Sequence, residues 1–205
     1  MTTTILFIRH GQTDWNVARR WQGHTDIPLN ETGKRQAQAL ATRLANWPIE
    51  AIYSSDLERC VQTAVTLGNA TQPKHTPIFD PIWRERDVGV FSGYTREQIQ
   101  EKFPEVWASR KRGLVDPPDG ETAVDLRVRA VKAFQKTISN HNGEMIAIVT
   151  HGGILYFLIA ELLGLGEGNE YGRFTLRGNT GMSIVEVTNN KPLLTLLNDT
   201  SHLDR

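Results

Sequence analysis

One cysteine, Cys60, is all that the 205 residues contain. An internal disulfide is therefore excluded, and with no cysteine pair there is neither a zinc ribbon nor a dithiol redox motif. Long apolar runs are missing too. The longest, residues 154–160, falls far short of the roughly 20 residues that cross a bilayer. The opening MTTTILFIRHG carries no positive region ahead of its apolar residues 5–8, so no secretory signal is read there. Charge is balanced, 23 basic residues against 23 acidic ones, which removes the basic excess that marks a nucleic-acid binder. The six histidines form neither an H-x-x-x-H nor an H-E-x-x-H pair, and the clustered carboxylates of a dinuclear site are absent. The expectation is a cytoplasmic protein with no metal or other cofactor and no nucleic-acid or membrane partner.

What is present is an ordinary soluble composition, 39% hydrophobic and 22% charged. At about 150 residues per domain the length suits one domain with an insertion better than two domains. Strand-length apolar runs alternate with helical periodicity, the pattern of a parallel α/β sheet. Strands are expected at 4–8, 51–54, 145–149, 183–187 and 193–197. A helix over 33–46 aligns Ala37, Leu40, Ala41 and Leu44 at i, i+3, i+4 and i+7. Ser55-Asp56-Leu57-Glu58 matches a capping box opening a helix with Leu57, Val61 and Ala64 on one face. The longest helix, 122–139, would turn Val124, Val128, Val131 and Ile138 inward. Residues 83–121, rich in charge, Gly and Pro, break the rhythm and read as a partly helical excursion over the sheet edge.

In open α/β sheets ligands bind beyond the carboxyl ends of the strands. Three expected strands end in anion-friendly residues: Arg9-His10-Gly11, Ser54-Ser55 with Arg59 just beyond, and Thr150-His151-Gly152-Gly153. Helices opening near 56 and 153 would aim free N–H groups and positive dipole ends at the same crevice. Two Arg, two His and two helix N-termini in a chain of zero net charge describe a local anion site. Phosphate suits it, because Arg offers its oxygens a planar bidentate fork. The residues alone lead to an anion-binding α/β domain and no further. Trp15 and Trp21 are candidates for the pocket wall.

The motifs themselves carry a resemblance. Arg9-His10-Gly11-Gln12-Thr13-Asp14-Trp15-Asn16 resembles the R-H-G-x-[ST]-x-x-N signature of the histidine phosphatase superfamily, in its phosphoglycerate mutase-like branch. Gly23-His24-Thr25-Asp26-Ile27-Pro28-Leu29 with Gly33, Ser54–Arg59 with Thr63-Ala64, Glu85 with Gly89 and Gly93, and His151-Gly152-Gly153 resemble four further segments in the same order. The resemblance implies a single domain over 1–205. Its fold would be a three-layer α/β/α sandwich with a mostly parallel central sheet, and 83–121 a partly helical lid that sets substrate specificity. It implies His10 as nucleophile, kept neutral by cationic Arg9 and Arg59, and Arg9, Arg59 and His151 as holders of the phosphoryl oxygens. Glu85 would be the proton donor, and Asn16, Gln22, Gly23 and Gly152 would line the substrate site. The implied reaction is metal-independent hydrolysis of small phosphorylated metabolites.

Gln22 and the absence of a Tyr at Val88 favour a phosphatase over a bisphosphoglycerate-dependent phosphoglycerate mutase, although Arg86 matches the mutase pattern. Arg110-Lys111-Arg112 reads as either a substitute for the mutase's lid arginines or a solvated basic face. A non-catalytic phospho-ligand module is disfavoured by the completeness of the set. The resemblance allows a homodimer, and no stretch of the sequence identifies an interface.

Overall fold

The computed structural model describes residues 1–73, 76–110, 114–165 and 174–203. Among these, β1 (Thr2–Arg9) is the strand around which the sheet is arranged, with Ile5, Leu6, Phe7 and Ile8 all fully buried. Side chains of a strand alternate between faces, so four buried neighbours in a row mean that both faces are covered. The sheet also contains β2 (Ile49–Ser54), β3 (Ile78–Phe79), β4 (Met145–Thr150), β5 (Met182–Thr188) and β6 (Lys191–Asp199). Their order is β3-β2-β4-β1-β5-β6. The β1–β4, β2–β4 and β2–β3 pairs are parallel, and β5 runs antiparallel to both β1 and β6. The fold is α/β with a mostly parallel sheet between helical layers, as expected.

The helices are α1 (Asp14–Val17), α2 (Glu31–Leu44), α3 (Glu58–Thr71), α4 (Arg96–Lys102), α5 (Pro104–Ala108), α6 (Ala123–Ile138) and α7 (Gly152–Leu162). Leu40 and Leu44 of α2 and Cys60, Ala64 and Leu67 of α3 pack on the Leu6/Ile8/Ala147/Val149 face. Leu126, Ala130 and Phe134 of α6 and Ile154, Leu155 and Leu158 of α7 cover the Ile5/Phe7/Ile146/Ile148 face. The 83–121 excursion contains α4 and α5 and a small apolar cluster of its own, Val88, Phe91, Ile99 and Val115. It docks on the loop after α1 through Trp21 N–H to Tyr94 O and Gly93 N–H to Trp21 O, both 2.9 Å. No helix among the described residues is long and apolar enough to cross a membrane.

Two local expectations are corrected. On α6, Val124 and Val128 are 67% and 63% exposed, and the buried face is Leu126, Ala130, Ala133, Phe134 and Thr137. Both rows have helical spacing. The sheet takes the one with small alanines beside Leu and Phe, which lets α6 pack close. The capping box at Ser55–Glu58 does not form either. The N-cap of α3 is Leu57, without a side-chain cap, and the Glu58 N–H instead donates to Asp26 Oδ1 at 2.7 Å. Ser55 Oγ lies 2.9 Å from His151 Nε2. With the helix opening at Glu58, Val61 is only half-buried, and the inner face is Arg59, Cys60, Thr63, Ala64 and Leu67.

The corrected α6 face has a direct consequence. Leu126→Ala should lower unfolding stability by about 2–5 kcal/mol, whereas Val128→Ala should stay within about 0.5 kcal/mol. Urea midpoints of the two variants check this, and a reversed order would restore the valine face.

Candidate active site

Chain order turns back between β1 and β4. From β1 the chain passes to β2 on one side, and from β4 it passes to β5 on the other. Such a switch point opens a crevice beyond the strand ends, and Arg9-His10 and Thr150-His151 leave their strands there. The cleft has a volume of about 340 Å³, and its wall includes Arg9, His10, Asn16, Gln22, Gly23, Arg59, Glu85 and His151. Gly152 is not in the wall; its neighbour Gly153 is, and the Arg9 guanidinium packs against Gly152. Trp21 lines the cleft, while Trp15 lies against Gly93 instead.

His10 is buried, and its Nδ1 is 2.7 Å from the Gly11 carbonyl. A carbonyl only accepts, so Nδ1 carries the proton and Nε2 keeps its lone pair. Close backbone packing sets this turn: a Cβ on Gly33, in the first turn of α2, would run into the Gln12 backbone. Asn179 Nδ2 donates to the His10 carbonyl and to Asn16 Oδ1, both at 3.1 Å. Asn16 Oδ1 also accepts from Thr13 N–H in the cap of α1, which leaves the Asn16 amide hydrogens for a ligand.

Arg59 is fully buried. It donates through Nε to His151 Nδ1 (3.2 Å), through Nη1 to Thr25 O (2.8 Å) and through Nη2 to Gly23 O (2.8 Å). All three partners are uncharged. Because His151 Nδ1 accepts, its proton is on Nε2, which donates to Ser55 Oγ. Both nitrogens of His151 are thus committed to protein partners, and its ring lies edge-on to His10 with centroids 5.2 Å apart. The expected phosphoryl contact from His151 is therefore not preformed; the ring orients Arg59 and walls His10. Arg9 Nε is buried with no hydrogen-bond partner among the described residues, as is Gln22 Oε1.

Glu85 faces these cations from the α7 end. Its carboxylate accepts from Gly153 N–H (2.9 Å) and Ile154 N–H (3.2 Å) at the start of α7 and from Arg86 N–H (2.8 Å). A Cβ at Gly153 would collide with Glu85 Oε1, so glycine there keeps the carboxylate's seat open. Neither flanking arginine pairs with Glu85. Arg84 forms a two-pronged pair with Asp56, and Arg86 pairs with Asp116.

Burial, then the charges of Arg59 and Arg9, hold His10 well below the usual histidine pKa. Burial and Arg59 do the same to His151. Burial pushes the Cys60 thiol up, so the sulfur against His151 stays protonated. Arg110 stacks over Trp107 at 5.3 Å and is not part of the cleft wall; Lys111 and Arg112 lie outside the described residues. Among the described residues no group of three or more His, Cys, Asp or Glu could hold a metal ion.

A parallel-sheet crevice holding a neutral histidine between desolvated guanidinium groups and an opposed carboxylate defines a phosphoryl-handling α/β enzyme. Comparison with known proteins agrees with that class. The histidine phosphatase superfamily (branch 1) matches residues 5–200, and the chain belongs to that family. It is a phosphatase of the histidine phosphatase type. It is similar to the metal-independent phosphoserine phosphatase of Arabidopsis thaliana, 34% identical over 98% of this chain and 83% of that one. It is 35% identical to the "Probable phosphoglycerate mutase GpmB" of Proteus mirabilis, over 97% and 94%. Among solved structures, Bacillus stearothermophilus YhfR superposes with a TM-score of 0.88 at 32% identity, covering 98% of this chain and 99% of that one.

Two histidines buried in neutral form make folding pH-dependent. Both folded pKa values lie below the unfolded value near 6.5, so below that pH the unfolded chain binds protons that the folded chain does not. Stability should be full above pH 6.5 and fall on acidification, by roughly tenfold in the folding constant per pH unit for each histidine. Urea unfolding at pH 7 and pH 5 tests the sign. His10→Asn should shallow the dependence by one proton, and an unchanged slope would remove His10 from the account.

Proposed function

We propose that the protein hydrolyses small phosphomonoesters without a metal ion, through a phosphohistidine on His10 Nε2, with Glu85 as proton donor. The observation that carries this reading is the tautomer of His10. The Gly11 carbonyl holds Nδ1–H, so the basic nitrogen is Nε2, in a cleft where burial and then the cations keep the ring unprotonated.

The ester's phosphoryl group enters between Arg9 and Arg59, whose uncommitted N–H groups hold its oxygens. Asn16 and Gln22 supply side-chain amides. Nε2 attacks phosphorus as the bond to the alcohol oxygen breaks, and the protonated Glu85 carboxyl passes its proton to that oxygen. The resulting Glu85 carboxylate takes a proton from water. The hydroxide forms the new P–O bond, the Nε2–P bond breaks, and phosphate leaves with His10 neutral again. Phosphoryl transfer depends mostly on positioning and charge stabilisation, which is what buried, pre-aimed guanidinium groups supply. Arg59 is held in turn by His151, so His151 acts through it. The 83–121 excursion, which contributes Glu85, Arg86 and Val88 to the wall, would fit the leaving group as a lid. The mutase relative supports a second reading, transfer between phosphoglycerate oxygens primed by bisphosphoglycerate. Val88 and Gln22 stand against it, because the mutase pattern that the chain resembles has Tyr at the first position and a small residue at the second.

Phosphate release from p-nitrophenyl phosphate and a small ester panel, with EDTA present, is the test. Turnover should resist EDTA and fall to background in His10→Ala. The parent denatured in alkali during turnover should carry an acid-labile, base-stable phosphoryl label. Isomerisation of 3-phosphoglycerate only with bisphosphoglycerate, and no hydrolysis, would move the assignment to the mutase.

A further inference from the structure

The segment that presents Glu85 lies in none of the six strands, yet its carbonyls are tied. The carbonyls of four consecutive residues each accept from a side chain. Ile82 O and Arg84 O accept from Arg129 Nη1, both at 2.8 Å. Trp83 O accepts from Thr150 Oγ1 at 2.6 Å. Glu85 O accepts from Arg129 Nη2 at 3.1 Å and from His24 Nε2 at 2.9 Å. Three of the four carbonyls therefore depend on one guanidinium, which reaches them from α6.

The other edge of that guanidinium is committed as firmly. Arg129 Nε and Nη2 bind the two oxygens of Glu121, each at 2.8 Å, with the Glu121 side chain only 14% exposed. Glu121 ends the 83–121 excursion and is stitched to the residues after Glu85. Its N–H donates to Asp87 O and its carbonyl accepts from Arg86 Nε. One arginine thus spans both ends of the excursion. Neither Arg129 nor Glu121 lines the cleft. A lysine ammonium has neither the planar fork nor the five donors needed to repeat these contacts.

We infer that Arg129 is a positioning residue for the general acid: by clamping the carbonyls of Ile82, Arg84 and Glu85 against Glu121, it fixes the Glu85 carboxyl at the leaving-group oxygen. This rests on the proton-donor reading of Glu85, and it makes a claim about leaving groups that a purely structural role does not. An alkoxide must be protonated as it departs; a dinitrophenolate need not be. The kinetic constant kcat/KM covers only the steps through departure of the leaving group, so the later hydrolysis of phosphohistidine does not enter it.

The experiment compares kcat/KM for glycerol 2-phosphate and 2,4-dinitrophenyl phosphate in the parent, Arg129→Met, Arg129→Lys and Glu85→Gln. Arg129→Met should lose about 10²-fold on the alkyl ester, within the range of general acid catalysis, and less than about threefold on the activated ester. Arg129→Lys retains a cation opposite Glu121 and covers the case in which the methionine variant does not fold. It should show the same selectivity at about a tenth of the amplitude. Equal losses on both esters, or none on either, would overturn the positioning role while leaving Glu85→Gln, with its own leaving-group dependence, in place. If Glu85→Gln shows no such dependence, the proton-donor reading falls first and takes this inference with it.

Discussion

A guanidinium with no access to solvent and only neutral partners is the constraint around which this molecule is built. Arg59 sits at the foot of the crevice and spends three of its five donors on two carbonyls and an imidazole. Arg9 beside it has a buried Nε with no hydrogen-bond partner among the described residues. Two cations held this way would cost stability if nothing compensated them; Glu85 opposite them supplies part of the compensation, and an anionic ligand would supply more. Burial first, and then the same charges, keep His10 unprotonated. In the proposed mechanism nucleophile and anion site are therefore one electrostatic arrangement, which would draw phosphate to the point where a neutral imidazole waits.

The carboxylate is held by a different means. Glu85 lies on irregular chain, and its order comes from donors on three sides: the first amides of α7 on the carboxylate, Thr150 from the end of β4, and Arg129 from α6. Each donor belongs to the rigid sandwich, so a loop residue inherits the precision of the layers beneath it. His151 shows the same economy. It is committed through both nitrogens between Arg59 and Ser55, and it serves the site by fixing a neighbour's orientation.

Much of this was legible along the chain. Residues 5–8 and 145–149 of the expected strands are apolar without a break, which only a strand covered on both faces tolerates, and both ends carry the Arg-His or Thr-His pairs that meet in the crevice. The helix expected over 33–46 and found at Glu31–Leu44 followed from its single apolar row. Less legible were positions whose role depends on a distant partner. Asn179 touches His10 and Asn16 from more than 160 residues away, and Arg129 reads as one more cation on an amphipathic helix. No local spacing marks either.

Composition and order of residues by themselves determined the layered α/β class, the strand ends that gather the cations and histidines, and the match to a phosphatase family, because each follows from local periodicity or from short motifs. Tertiary structure alone decided which of two rows on α6 faces the sheet, that Ser55 serves His151 rather than a helix cap, which nitrogen of His10 is free, and what holds Glu85. These are choices among locally equivalent options. They are settled by which surfaces can pack closely and which buried polar groups must find partners across the fold.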